Sequence, residues 1–145
     1  MNIAELFVAV GARWTAAGLD TTVTGGLHVF DAPEGTDMPY AIMAETGSNV
    51  PWRASSGDTT SREDSTDFQI SLIAAAPTLN AAAKTAAKAI HDAFENASLS
   101  ISGAKLVRCR WLGESLLHDP LNPNALEWVQ RFTAVAVVET ATTAA

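Results

Sequence analysis

The residues best suited to bind a metal or to transfer a proton are the three histidines. His28, His91 and His118 fall on different predicted elements, and no spacing places two ring nitrogens on one face, as a zinc site requires. A group of carboxylates precedes the clearest strand of the chain: Asp58, Glu63, Asp64 and Asp67. Their spacing does not match a calcium-binding loop, and a solvated entrance to the strand explains these charges better. The sequence therefore predicts no metal site.

Residues that could act as nucleophiles or hold phosphate lack the partners that these roles need. Gly25-Gly26 is not followed by the Lys and Ser/Thr of a phosphate-binding loop. Ser55-Ser56 and Ser115 have no base that the sequence identifies, and Asp119-Pro120 is explained by turn chemistry. An enzyme should place an acid, a base or a nucleophile on facing elements. We therefore expect no catalytic residue, no cofactor and no enzymatic activity.

The composition is that of one folded globular domain spanning residues 1–145, with 48% hydrophobic and 17% charged residues. A formal net charge of −7 argues against a surface that binds nucleic acid, because phosphate binding needs clustered cations. Cys109 is the single cysteine, so no disulfide forms within the chain, and its alternating neighbours indicate a buried thiol. No apolar run approaches the roughly 20 residues of a membrane span, and the first residues lack the basic start of a signal peptide. We expect a cytosolic origin and no membrane partner.

Hydrophobic periodicity defines the elements that must position any site. It predicts a first helix, capped by Asn2 and ended at Gly18, and an Ala-rich helix over residues 78–96. Alternation and turn residues predict strands at about 27–30, 39–45, 67–74, 105–117 and 127–139. These elements predict an α+β fold: a mixed, mainly antiparallel sheet of about five strands with two main helices packed on one face.

Residues 46–60 are polar and rich in Ser, Gly and Thr, and they predict a flexible loop. Trp52 lies in this loop with Arg53 beside it. Trp52 either folds back onto the sheet edge or anchors a partner that orders the loop. The Thr/Ala-rich tail over residues 140–145 is expected to fray.

Arg108 and Arg110 share one face of the strand that carries Cys109 on its other face. They form either a solvated surface or a contact with the acidic surface of a neighbouring copy of the chain. Together with Trp52 and Arg53, they are the candidate partner-contact residues.

The order of the elements resembles that of the tail-terminator (tail-completion) proteins of long-tailed bacteriophages. The similarity runs from about Leu27 to Glu139 and includes the Ala32-Pro33 and Pro39-Tyr40 hairpin, the strand 67–74 and the following helix. It implies a structural protein that caps the finished tail tube as a hexameric ring, stops tube polymerisation and joins the tail to the head. The implied partners are other copies of itself, the tail tube protein, a head-tail connector (neck) protein, and DNA that passes through the lumen without specific binding. The implied location is the head-proximal end of the virion tail, after assembly in the cytoplasm of the host bacterium.

Three alternatives stay open at this stage. The first is a neck connector, another small α+β ring protein of the same particles. The second, of a different class, is a small cytosolic domain with ligand-binding or enzymatic activity. The third is a generic homo-oligomeric scaffold.

Overall fold

A computed structural model describes residues 3–56, 59–75, 81–101, 104, 106–119 and 122–141. In chain order, its elements are α1 (Ile3–Ala16), a short 3-10 turn (Leu19–Thr21), β1 (Leu27–Val29), β2 (Tyr40–Ser56), β3 (Thr59–Ala75), α2 (Ala81–Phe94), β4 (Leu106–Asp119) and β5 (Asn122–Ala141). The predicted α+β class with a mixed, mainly antiparallel sheet is confirmed.

The five strands form one sheet in the order β1-β2-β3-β5-β4. β1 is parallel to β2, whereas every other neighbouring pair is antiparallel. The last strand therefore lies inside the sheet, between β3 and β4, and β1 and β4 form its two edges. β1 pairs only with Ala41–Met43, so the rest of β2 also forms an edge on that side. Edge strands carry unpaired backbone groups, so these edges are open to further pairing.

Both helices pack on the same face of the sheet. α1 buries a stripe that includes Leu6, Val10 and Trp14, and it ends before Gly18, whose positive φ of 69° suits a residue without a Cβ. Arg13 Nε donates a hydrogen bond of 2.8 Å to the carbonyl of Ala93 and thereby ties α1 to α2. In the described residues, neither helix is long and apolar enough to cross a membrane.

Aromatic rings join α2 to the middle of the sheet. Phe68 and Phe132 are opposite each other on β3 and β5, with ring centroids 5.4 Å apart. Phe94, at the end of α2, lies 5.7 Å from Phe132, and all three side chains are fully buried. The predicted alternation of β3 is confirmed, because Phe68, Ile70 and Leu72 are buried on the helix-covered face.

The loop predicted over residues 46–60 is wrong. β2 runs through it to Ser56 and β3 starts at Thr59, so only residues 57 and 58 lie outside the described strands. Pro51 falls between Asn49 and Trp52, where the pairing register shifts, and an irregularity of this kind accommodates a residue without an amide hydrogen. Residues 46–56 pair with β3 as one arm of a hairpin, and β3 in turn pairs along its whole length with β5, so a distant part of the chain supports the hairpin.

The boundaries near the C-terminus also differ from the prediction. The predicted strands end at 117 and restart at 127, with Asp119-Pro120 in a turn between them, but β4 continues to Asp119 and β5 begins at Asn122. The predicted frayed tail starts too early, because residues 140 and 141 belong to β5 and pair with β3. Residues 142–145 lie outside the described residues, as do the predicted cap Asn2 and residues 78–80 of the second helix.

Candidate functional site

The histidines are engaged in local structural contacts. His28 Nε2 lies 2.8 Å from the carbonyl oxygen of Gly25. His91 Nδ1 lies 3.1 Å from Asp92 Oδ1, and its ring contacts the edge of Trp111. In the described part of the chain, no three His, Cys, Asp or Glu side chains come together as a metal site would require.

Cys109 is fully buried on β4, which confirms the predicted burial of its thiol. Burial, with a smaller contribution from the Glu95 carboxylate, raises the pKa of the thiol to about 12. The thiol is therefore protonated at neutral pH and unsuited to nucleophilic chemistry.

Trp52 and Arg53 lie within β2 and not in a loop. Trp52 pairs with Glu63 of β3 and Arg53 pairs with Arg62, near the end of the long β2–β3 hairpin. Their side chains lie outside what the structure describes, so their predicted contacts remain a prediction. Two strands of 17 residues span about 55 Å each, whereas a helix of 14 residues spans about 21 Å, so the hairpin extends well beyond either helix.

Arg108 and Arg110 lie on β4, on the face of the sheet opposite the helices, and both are exposed. Among the side chains that the structure describes, none forms an ion pair with either of them. Pairing across the sheet places Trp52 of β2 in line with Leu106 of β4, with β3 and β5 between them. Three strand spacings, roughly 14 Å, therefore separate the backbones of β2 and β4 at Trp52.

The outer edge of β4 divides into a covered half and an open half. In the covered half, Cys109 N–H donates to the carbonyl of Ala97 (2.8 Å), and Trp111 N–H donates to Glu95 Oε2 (2.7 Å). Beyond Trp111, no described residue forms a backbone hydrogen bond to the outer side of the strand. This open half carries large exposed apolar side chains, which we call the leucine edge: Leu112, Leu116 and Leu117.

A cleft of about 320 Å³ lies beside the leucine edge, between α2 and the strands β4 and β5. We call it the α2–β4 cleft; its walls include Trp111 and Trp128, and its rim carries Lys84 and Lys88. Trp128 Nε1–H donates to Glu114 Oε2 at 2.9 Å, but Trp111 Nε1–H has no acceptor among the described residues. A buried donor without a partner is uncommon in folded proteins, so this wall has an unmet hydrogen-bonding group.

The opposite edge of the sheet, beside β1, is apolar and acidic. Phe30 directly follows β1, is 63% exposed and has a φ of 66°, a conformation that bulky residues rarely adopt. The segment 31–37 follows it, and we call this segment the acidic turn, after its three exposed carboxylates: Asp31, Glu34 and Asp37. Thr36 stabilises the turn, since its N–H and its hydroxyl both donate to the carbonyl of Pro33.

Sequence reasoning missed these edge residues. Trp111 and Trp128 fall within two of the predicted strands, and nothing local indicated that both would line one cleft. One signal was available: no Lys or Arg occurs between Arg13 and Arg53, whereas the interval holds five carboxylates. A run of 39 residues without a cation predicts an acidic region of the surface wherever the fold places it.

Comparisons with known proteins agree on the type of protein. The family model described as tail completion protein gp17 matches residues 10–136. Among solved structures, a chain from the virion of a native gene transfer agent particle matches with a TM-score of 0.64 and 26% sequence identity, over 90% of this chain and 92% of that chain. No curated protein sequence matches. These matches indicate a structural component of a phage-like tail. The chain belongs to the gp17 family of tail completion proteins.

Proposed function

We propose that this protein forms a ring on the end of a completed tail tube, stops further polymerisation of the tube and provides the surface that joins the tail to the head. The observation that carries this proposal is the pair of open, partly apolar edges at the two ends of the sheet. Two different patches on opposite sides of a subunit favour head-to-tail contacts, and such contacts close into rings when the rotation between copies permits it.

The long β2–β3 hairpin supports a contact with the tail tube. It extends past the helices and carries Trp52 and Arg53 near its end, beyond the residues of β2 that pair with β1. In a ring built through the edges, the hairpin stays free to meet the tube or to line the lumen. A hairpin that projects in this way provides backbone and side-chain groups for docking without disturbing the contacts between subunits.

The negative charge of the chain is compatible with DNA in the lumen of such a ring. At a net charge of −7, six copies carry −42, and a lumen of this sign repels the phosphate backbone. We infer that DNA passes through without specific binding. On this proposal the protein occupies the head-proximal end of the tail and joins it in the cytoplasm of the host.

The decisive experiment is disruption of the gene in the producing strain, followed by electron microscopy of the particles in the lysate. A tail terminator predicts tails of uncontrolled length without heads, and complementation with the wild-type gene should restore tails of uniform length. Tails of normal length that fail to join filled heads would contradict termination and indicate a neck connector. Normal complete particles would contradict both roles.

A further inference from the structure

Two surfaces of this chain, each left without a partner, have complementary chemistry. The acidic turn presents Asp31, Glu34 and Asp37 to solvent, with no Lys or Arg in the surrounding run of 39 residues. Phe30 stands at its base, and Val29 and Met38 beside it are also more than 40% exposed. An exposed aromatic side chain within a rigid turn is the kind of anchor that dominates protein interfaces.

The α2–β4 cleft has the opposite character. Lys84 forms no ion pair with a described residue, while Lys88 pairs with Asp92 of its own helix in a fully exposed contact, which is weak. The carboxylate of Glu114 is already engaged with the indole of Trp128. Cations therefore remain available at the rim, and tryptophan rings form the wall behind them.

Within the described residues of one chain, the carboxylates of the acidic turn form no ion pair with Lys84 or Lys88. β1 and β4 are the outer strands of the five-stranded sheet, so about four strand spacings, roughly 19 Å, separate them. A second copy can supply the contact, and each copy then offers one surface of each kind. This arrangement is heterologous, and it propagates from subunit to subunit until it closes.

We propose that the acidic turn of one copy docks in the α2–β4 cleft of the next, with Phe30 against the tryptophan wall and the turn carboxylates beside Lys84 and Lys88. Trp111 and Trp128 form the apolar wall of the cleft against which Phe30 packs. Leu116 pairs with Trp128 of the cleft wall and so lies on the same face of the sheet, where the same contact covers it. This proposal deepens the ring function above and rests on it.

Charge reversal on the two surfaces tests the pairing directly. The cleft variant is Lys84→Glu with Lys88→Glu, and the turn variant is Asp31→Lys with Glu34→Lys; all four residues are exposed. At low ionic strength, each variant alone should self-associate at least about tenfold more weakly than the wild type, because like charges then face each other. Mixed in equal amounts, the two variants should assemble again, because each reversed surface finds its opposite on the other variant. Light scattering over a wide concentration range gives the mass.

A matched control for the turn variant carries the same positive change in net charge at a distance from the acidic turn and the cleft. Glu63→Lys with Asp67→Lys lies on the central strand β3 and should assemble like the wild type. Recovery in the mixture also proves that each variant is folded. The proposal is overturned if either single-surface variant assembles normally, if the mixture stays dissociated, or if the wild type shows no self-association at any concentration.

Disulfide trapping gives an independent readout of the same contact. A protein with both Glu34→Cys and Lys84→Cys should form a ladder of covalent multimers on mild oxidation, while either single substitution should stop at dimers. The native Cys109 is buried and does not compete. Absence of the ladder from an associated sample would refute the docking geometry. If no ladder forms but the gene-disrupted strain produces tails of uncontrolled length, the terminator function stands and only this interface is overturned.

Discussion

The same substitution, phenylalanine to alanine, should have opposite consequences at two positions of this chain. Phe132 is fully buried between Phe68 and Phe94, with centroid distances of 5.4 and 5.7 Å, and it links β5 to α2. Phe30 is 63% exposed, and its ring makes one edge contact, with Phe7 at 5.3 Å. The first residue stabilises the core, whereas the second is available to a partner.

The magnitudes follow from these environments. Truncation of a buried phenylalanine costs about 3–5 kcal/mol, so Phe132→Ala should remove a large part of a total stability of about 5–15 kcal/mol. Phe30 buries roughly a third of its side chain, which corresponds to about 0.5–1 kcal/mol, and the ring contact adds about 0.5–1 kcal/mol. Phe30→Ala should therefore lower the free energy of unfolding by only about 1–2 kcal/mol. It should nevertheless weaken self-association strongly, whereas Phe132→Ala should act mainly on folding.

Urea unfolding followed by tryptophan fluorescence measures the first quantity, and light scattering on the folded proteins measures the second. The unfolding experiment needs a protein concentration at which the wild type is monomeric, because association stabilises the folded state by mass action. The reasoning would be refuted if Phe30→Ala unfolded as easily as Phe132→Ala. It would also be refuted if Phe30→Ala assembled like the wild type.

Three further predictions concern the hairpin, the buried thiol and the covered half of β4. Trp52→Ala should leave the melting temperature nearly unchanged while weakening docking to purified tail tubes in a pull-down; a loss of several kcal/mol would instead place this side chain in the core. The folded protein holds the proton of Cys109 up to about pH 12, whereas the unfolded thiol releases it near pH 9.0, so unfolding releases a proton between these values and stability should fall as the pH rises. Above about pH 9, the free energy of unfolding from urea titrations should fall by about 1 kcal/mol per pH unit more for the wild type than for Cys109→Ala, and parallel profiles would disprove the raised pKa. Glu95→Ala removes the acceptor of the backbone N–H of Trp111 and should lower the free energy of unfolding by about 1–2 kcal/mol in thermal unfolding. The exposed Asp92→Ala should have no measurable effect, and equal effects of the two substitutions would contradict this role for Glu95.

Local patterns predicted those parts of the fold that each segment determines by itself. The alternation of Phe68, Ile70 and Leu72 identified β3 because one face of that strand is buried and the other is not. The segment 46–60 shows no such pattern, since it is rich in Ser, Gly and Thr, and its extended conformation depends on pairing between distant strands. A strand stabilised mainly by backbone pairing leaves little trace in the pattern of its side chains.

The candidate surfaces show the same division. Arg108 and Arg110 were correctly placed together on one face of a strand, because neighbouring positions of equal parity share a face. The cleft was not predictable, because it needs Lys84 of α2 to lie beside tryptophans from two strands. Those three elements are brought together by the strand order, which no single segment specifies.

By itself, the sequence determined two amphipathic helices, an alternating β3, a buried cysteine and an acidic run without cations. Each of these follows from the period of apolar residues or from composition, and both are local properties. Only the tertiary structure decided that β5 lies between β3 and β4, that the hairpin extends past the helices, and that the acidic turn and the α2–β4 cleft lie at opposite edges. The physical reason is that pairing between distant strands depends on the free energy of the whole sheet, in which many registers compete and one buries the most apolar surface.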